Sequence, residues 1–357
     1  MKFLRFAFYV LIAQLVLSGC AGEGVEETSS SSSSEINFDA YVGRNASTRS
    51  GVTNITSLKG TDLNSGFGVF ARYNHTNGAT SPLMDNEHVT WKVDRWGYTN
   101  TRYWPNEGSV DFYAFAPYLK NVKPVNAPDS IKANPAYIEF TSSTSNVDLV
   151  WGAQKDKKAP TSPTDGKVKF DFEHVLARLG LDITANQEFE ENGAVIEVEE
   201  VKLYGKTEDE GAFDSKGYLN LEDGKWSVGD PDISTRVVYT WTPPDVEDEN
   251  NFKLSASQLD HTCKKIENAP NSYLCIIPQT KYFPFYLKIT YTVKQGDFKE
   301  KVTVKKNLLE VLRPGVSKPS FSFEIGKAYV FHLKLSLDPI NFSITTKVVD
   351  FAEGKIE

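Results

Sequence analysis

The sequence predicts an all-β protein built as two β-sandwiches in tandem. Apolar and aromatic residues recur at every second position in short runs, and Gly, Pro, Asn and Asp punctuate those runs. No long, well-capped helical pattern interrupts them. Many short strands without a βαβ rhythm favour sandwiches over a parallel sheet.

The chain opens with an export signal. Lys2 and Arg5 precede the apolar run Phe6 to Leu17, and Leu17-Ser18-Gly19-Cys20 closes it as a lipobox, so residues 1–19 read as a lipoprotein signal peptide and Cys20 as the lipidated residue. The run is too short to cross a bilayer, which needs about 20 residues. No later segment approaches that length, so the mature chain is expected to be held by lipid. Residues 20–35, with six serines from Ser29 to Ser34, have too little apolar content to fold and read as a tether.

The strand signals begin at Ile36. Phe67, Val69 and Ala71 alternate with Gly68, Phe70 and Arg72, and Val110, Phe112, Ala114 and Ala116 alternate with Asp111, Tyr113 and Phe115. Each stripe predicts a strand with one face buried. Lys155 to Lys167 carries Lys157, Lys158, Pro160, Pro163 and Gly166, which marks a boundary between an amino-terminal domain, 36–165, and a carboxy-terminal domain, 166–357. In the second domain, strands are predicted at Val168 to Ala185, Val195 to Tyr204, Tyr273 to Pro278, Phe283 to Val293 and Glu300 to Lys305. Two more follow at Lys327 to Leu337 and Phe342 to Phe351, separated by Asp338-Pro339.

Charge and chemistry exclude several functions. The whole chain carries a net charge of −8; without Lys2 and Arg5 it is 37 − 47 = −10, which argues against nucleic acid, whose phosphates demand a basic face. The five histidines are dispersed, with no metal-binding spacing, and no nucleophile elbow, Walker loop or dinucleotide fingerprint is present. No catalytic residue, metal or cofactor is therefore expected. The acidic runs Asp245 to Glu249 and Glu208 to Glu210 lack the ligand pattern of an EF-hand loop and read as solvated. Apart from Cys20, only Cys263 and Cys275 remain, either as a disulfide or as two buried thiols. Trp91, Trp96 and Trp104 lie close together among Tyr98, Tyr103 and Pro105, either as a glycan-stacking platform or as the core of a sandwich.

The assembled pieces resemble the fimbrillins, the type V pilins of Bacteroidia. The resemblance rests on Cys20, on Phe67 to Ala71, on Tyr103-Trp104-Pro105-Asn106-Glu107 leading into Val110 to Tyr118, and on Val147 to Gly152. It continues through Phe170 to Leu179 with its His174-x-Leu176-x-Arg178-Leu179 stretch, Ile276 to Gln279 and Gly326 to Tyr329. It implies two transthyretin-like β-sandwich domains and a structural or adhesive subunit of a surface fimbria, with no enzymatic role. It also implies delivery to the outer membrane as a lipoprotein and assembly with other fimbrial subunits, self or homologous, by strand exchange. In that scheme a trypsin-like protease cuts after an arginine, here Arg49 or, as second choice, Arg44. The displaced strand would be Ile36 to Val42, with Ile36, Phe38, Ala40 and Val42 on one face. The donor strand would present Phe342, Ile344, Thr346, Val348 and Phe351; many relatives carry Trp where Phe351 stands. The alternative expectation is a surface lipoprotein that binds host or bacterial glycans, or a surface protein, without polymerising.

Overall fold

The computed structural model describes residues 34–42, 53–122, 124–125, 137–142, 147–162, 166–185, 191–228, 236–241, 253–254, 264–265, 273–335 and 343–350. The fold is all-β. Its helical segments among these residues are short, α1 (Ile55–Leu58) and α2 (Leu308–Leu312). Asn54 and Ser57 cap α1 reciprocally, each side chain meeting the other's backbone N–H. No helix among the described residues is long and apolar enough to cross a membrane.

A seven-stranded sheet occupies the amino-terminal half. Its spatial order is β1 (Asn37–Val42), β9 (Lys167–His174), β8 (Val150–Lys157), β5 (Ser109–Ala116), β2 (Phe67–Asn74), β3 (Thr80–Trp91) and β4 (Trp96–Gly97). The β1–β9 pair is parallel and every other pair in this sheet is antiparallel. A smaller sheet runs β14 (Trp226–Ser227), β13 (Lys216–Asn220), β7 (Tyr137–Thr141) and β6 (Pro124–Val125). It joins chain from both sides of residue 165, because β7 pairs with β13 from Tyr137–Asn220 to Thr141–Lys216.

The carboxy-terminal half holds two larger sheets. In one, β10 (Ala177–Ala185) lies between β18 (Lys264–Lys265) and β24 (Lys327–Leu335), β25 (Ser343–Asp350) follows β24, and β19 (Tyr273–Ile276) also pairs with β10. In the other, β11 (Val195–Tyr204) takes β21 (Tyr286–Gln295) on one edge, with β22 (Phe298–Asn307) outside it, and β16 (Tyr239–Trp241) and β17 (Lys253–Leu254) on the opposite edge. Two short pairs, β12 (Phe213–Asp214) with β15 (Arg236–Val237) and β20 (Gln279–Lys281) with β23 (Phe321–Phe323), complete the fold.

Two expectations change. The single strand expected from Val168 to Ala185 is two strands in different sheets, broken at Val175–Leu176. Residues 167–174, assigned by composition to the second half, hydrogen-bond to β1 and β8 of the first sheet. The central strands are also covered on both faces. Phe67, Val69, Ala71, Phe112 and Ala114 enter one core, while Phe70, Tyr113 and Phe115 enter another with Ile138, Phe140, Leu219 and Ile277. A third core fills the carboxy-terminal half around Leu203, Phe213, Phe285, Ile289, Phe331 and Leu333.

Candidate functional site

The candidate site is the edge strand β1 together with the core that it covers. In β1 and the residue before it the alternation of the sequence becomes an inside and an outside: Ile36, Phe38 and Val42 are buried, Ala40 packs against the same core, and Tyr41 faces solvent at 44% exposure. The register sets Phe38 beside Val168, Ala40 beside Phe170 and Val42 beside Phe172. Phe38 meets four rings, with centroids 6.2 Å from Phe67, 6.0 Å from Phe112, 5.9 Å from Phe170 and 5.5 Å from Tyr98.

The start of the strand is fastened on its other side. Ile36 N–H donates to the Arg102 carbonyl at 2.9 Å, and Trp104 N–H donates to the Ser34 carbonyl at 2.9 Å. The Tyr98 hydroxyl donates to the Ile36 carbonyl at 2.8 Å, and burial pushes its pKa up to about 12. Without β1 these rings and main-chain groups would line an open groove. Such a groove is a hazard unless another strand fills it.

Downstream, the chain is fixed again at Thr53. Its N–H donates to the Asp148 carboxylate at 2.8 Å and its hydroxyl to the Asp148 carbonyl, while His174 Nδ1 lies 3.2 Å from the same carboxylate. Arg44 and Arg49 belong to residues 43–52, between these two anchored points, and lie outside the described residues. Sequence reasoning missed this anchor. Asp148 gives only a polar residue before Leu149-Val150, and its partner lies 95 positions away.

At the carboxy-terminal end, β25 is an outer strand paired antiparallel to β24, with Ile344 opposite Leu333, Thr346 opposite Phe331 and Val348 opposite Tyr329. Ile344 packs against the third core, Thr346 is half-buried with its hydroxyl oxygen lacking a partner, and Val348 is 50% exposed. Phe342 and Phe351 lie outside the described residues, as do Cys20 and Cys263. Cys275 is buried, and burial pushes its thiol pKa up.

Of the two readings of the tryptophans, glycan platform or sandwich core, their packing favours the core. Trp96 and Trp104 are each 4% exposed, with Trp96 against Phe67 at 5.0 Å and Trp104 against Phe112 at 5.5 Å. Trp91 is half-buried, with Trp96 against it at 5.2 Å and the Lys59 ammonium 3.8 Å from its ring centroid. Trp96 and Trp104 are thus committed to core neighbours and not to a surface on which a sugar could stack.

Comparison with known proteins adds the family. The sequence matches the family model described as fimbrillin-like over residues 48–348. The chain belongs to the fimbrillin-like family. Within it, the chain is 26% identical over 376 residues to fimbrium subunit Fim1C of Phocaeicola vulgatus, spanning 94% of this chain and 93% of that protein. The crystal structure of a fimbrial protein from Bacteroides vulgatus matches with a TM-score of 0.60 at 23% identity, over 89% of this chain and 99% of that one. That likeness shows the shared fold, to which the fimbrillin-like chain described here conforms.

Proposed function

We propose that this fimbrillin-like chain is a structural or adhesive subunit of a surface fimbria, assembled by replacing β1 with a strand from another subunit. It is exported as a lipoprotein anchored through Cys20 in the outer membrane, cut after Arg49 or else Arg44, and built into the fimbrium once residues before the cut depart. Its two sandwich domains divide near Val175, with β9 counted in the first.

The observation that carries this reading is the placement of β1. It has one sheet neighbour and, counting Ile36 just before it, three buried apolar side chains, so its departure removes a strand edge and a row of core contacts together. Fully burying side chains such as Ile36, Phe38 and Val42 contributes about 1.5–3 kcal/mol each. An emptied groove is therefore strongly driven to refill. β25 offers a suitable occupant: its alternating Ile344, Thr346 and Val348 are only partly used within the subunit, and main-chain pairing would supply the remaining contact.

The test compares fimbrium formation in cells carrying the wild-type chain, Arg49→Ala together with Arg44→Ala, and a deletion of residues 340–357. The double substitution is expected to leave a lipidated, monomeric precursor, and the deletion to leave trimmed subunits that do not polymerise. Polymers containing an intact Ile36 to Val42, or normal polymers after the deletion, would sink the proposal.

A further inference from the structure

The first sheet comes apart between β8 and β9. The two strands pair only at Val150–His174 and Trp151–Glu173; beyond those pairs β8 stays with β5 and β9 with β1. The opening is a cavity of about 540 Å³, with Lys157 and Lys158 from one side, Lys167 and Lys169 from the other, and Trp104 completing the lining. A bulge shapes the β8 wall. One extra residue stands between Gln154 and Lys157, where Asp156 takes φ 52° and donates its N–H to the Asp111 carboxylate at 2.9 Å. Bulges of this kind re-aim the side chains that follow them.

Two observations point to a ligand. The ion pairs among the described residues use other lysines, so four exposed lysines line one opening beside the Asp171 carboxylate, on a chain whose net charge is −8. In addition, Trp104 is 4% exposed and its buried indole N–H has no acceptor. An unmade hydrogen bond at a buried donor costs about 1–3 kcal/mol, which an acceptor oxygen would recover.

The walls specify more than an anion. They are strand edges that do not pair with each other along most of their length, so they suit an extended peptide, whose main chain can bond to both. Lys167 and Lys169 stand two residues apart on one face of β9, roughly 6.6 Å along the strand. Two carboxylates at alternate positions of a facing strand would match them. Asp171 continues the same row, so the match to β9 is confined to two alternate carboxylates. Asp245-Val246-Glu247-Asp248-Glu249 has this alternation and lies outside the described residues.

We propose that the cleft between β8 and β9 receives the extended acidic segment Asp245 to Glu249 of a second copy of this chain. Lys167 and Lys169 pair with alternate carboxylates, Lys157 and Lys158 neutralise the opposite side, and the Trp104 N–H meets an oxygen of the segment. The proposal rests on the assembly reading only in requiring neighbouring copies. Strand exchange is read from polymers, whereas this contact is read on the unpolymerised chain, so each can fail alone.

The experiment uses the full chain purified in detergent, carrying Asp245→Asn, Glu247→Gln and Glu249→Gln so that its own segment does not compete. A fluorescent peptide of residues 243–252 is titrated at low salt and followed by anisotropy. Binding is expected to weaken about tenfold or more in Lys167→Glu/Lys169→Glu, and to return when the peptide carries Asp245→Lys and Glu247→Lys. All four wall lysines are exposed, so an unchanged melting profile separates lost binding from lost folding. A chain that ignores the peptide, or binding indifferent to the reversal, overturns the proposal. Capture of a sulfated oligosaccharide by the same lysines without the peptide also overturns it, in favour of an acidic glycan.

Discussion

Replacing Phe38 by alanine tests whether β1 belongs to the amino-terminal core yet is dispensable after assembly. The side chain is 2% exposed and touches Phe67, Tyr98, Phe112 and Phe170. Truncating a ring so enclosed removes its transfer energy and leaves a cavity, at a combined cost of about 3–5 kcal/mol. Edge strands have one free side on which to relax, so the lower half of that range is expected. In urea unfolding, the uncut Phe38→Ala precursor should lose about 3–4 kcal/mol while keeping its denaturant slope.

The same substitution should be silent in the polymer. If residues before the cut leave, stalks grown from Phe38→Ala precursor contain no trace of the change and dissociate in urea at the wild-type midpoint. Phe170→Ala is the control, because that ring lines the groove before and after exchange and should weaken both forms. A precursor loss under about 1 kcal/mol would refute the placement of β1 in the core. An equal loss in precursor and polymer would refute its removal.

Two further outcomes follow from buried charges. Burial alone would raise the Asp111 carboxyl, but hydrogen bonds from Asn74, the Asp156 N–H and Arg72, together with the Arg72 charge, hold it below the usual carboxylate range. A depressed folded value gives stability that is present above the unfolded pKa of about 3.9 and lost as pH falls through the folded one, so Asp111→Asn should shallow the acid-unfolding curve and cost about 1–3 kcal/mol at neutral pH. Lys281 is 5% exposed, and burial pushes its pKa down from 10.5 to about 8 despite the nearby Asp214. Its native form sheds a proton that the unfolded chain keeps, so stability should rise between those two pH values, and Lys281→Met should raise stability at pH 7 and flatten that rise.

Local pattern carried much of the fold into the sequence. Val195 to Tyr204 is a strand with the expected bounds, and Tyr329, Phe331, Leu333 and Leu335 form one buried stripe in β24. What stayed hidden depends on distant chain. Phe70, Tyr113 and Phe115 read as the solvent face of period-two strands, but β7 and β13, which pair across the linker, bring a second core onto that face. The break at Val175–Leu176 was invisible for a related reason. Both β9 and β10 are apolar at alternate positions, and only their partners, β1 and β8 for one, β24 and β19 for the other, tell them apart. At the site, the stripe Ile36, Phe38, Ala40, Val42 was legible as an inward face, whereas the parallel pairing with β9 and the fastening to Arg102 and Trp104 require the folded chain.

The parallel pairing bears on the direction of the proposed strand exchange. Parallel ladders carry evenly spaced but slanted hydrogen bonds and are slightly less stable per residue than antiparallel ones. β1 therefore holds its groove through side chains more than through its ladder, as the burial of Ile36, Phe38 and Val42 indicates. An incoming strand that kept the alternate apolar side chains but ran antiparallel to β9 would fill the same pockets and make straighter hydrogen bonds. The subunit would then carry a strand good enough to keep the groove closed and inferior to the one that replaces it, and the free-energy difference between the two ladders would make assembly run forward without an external energy source.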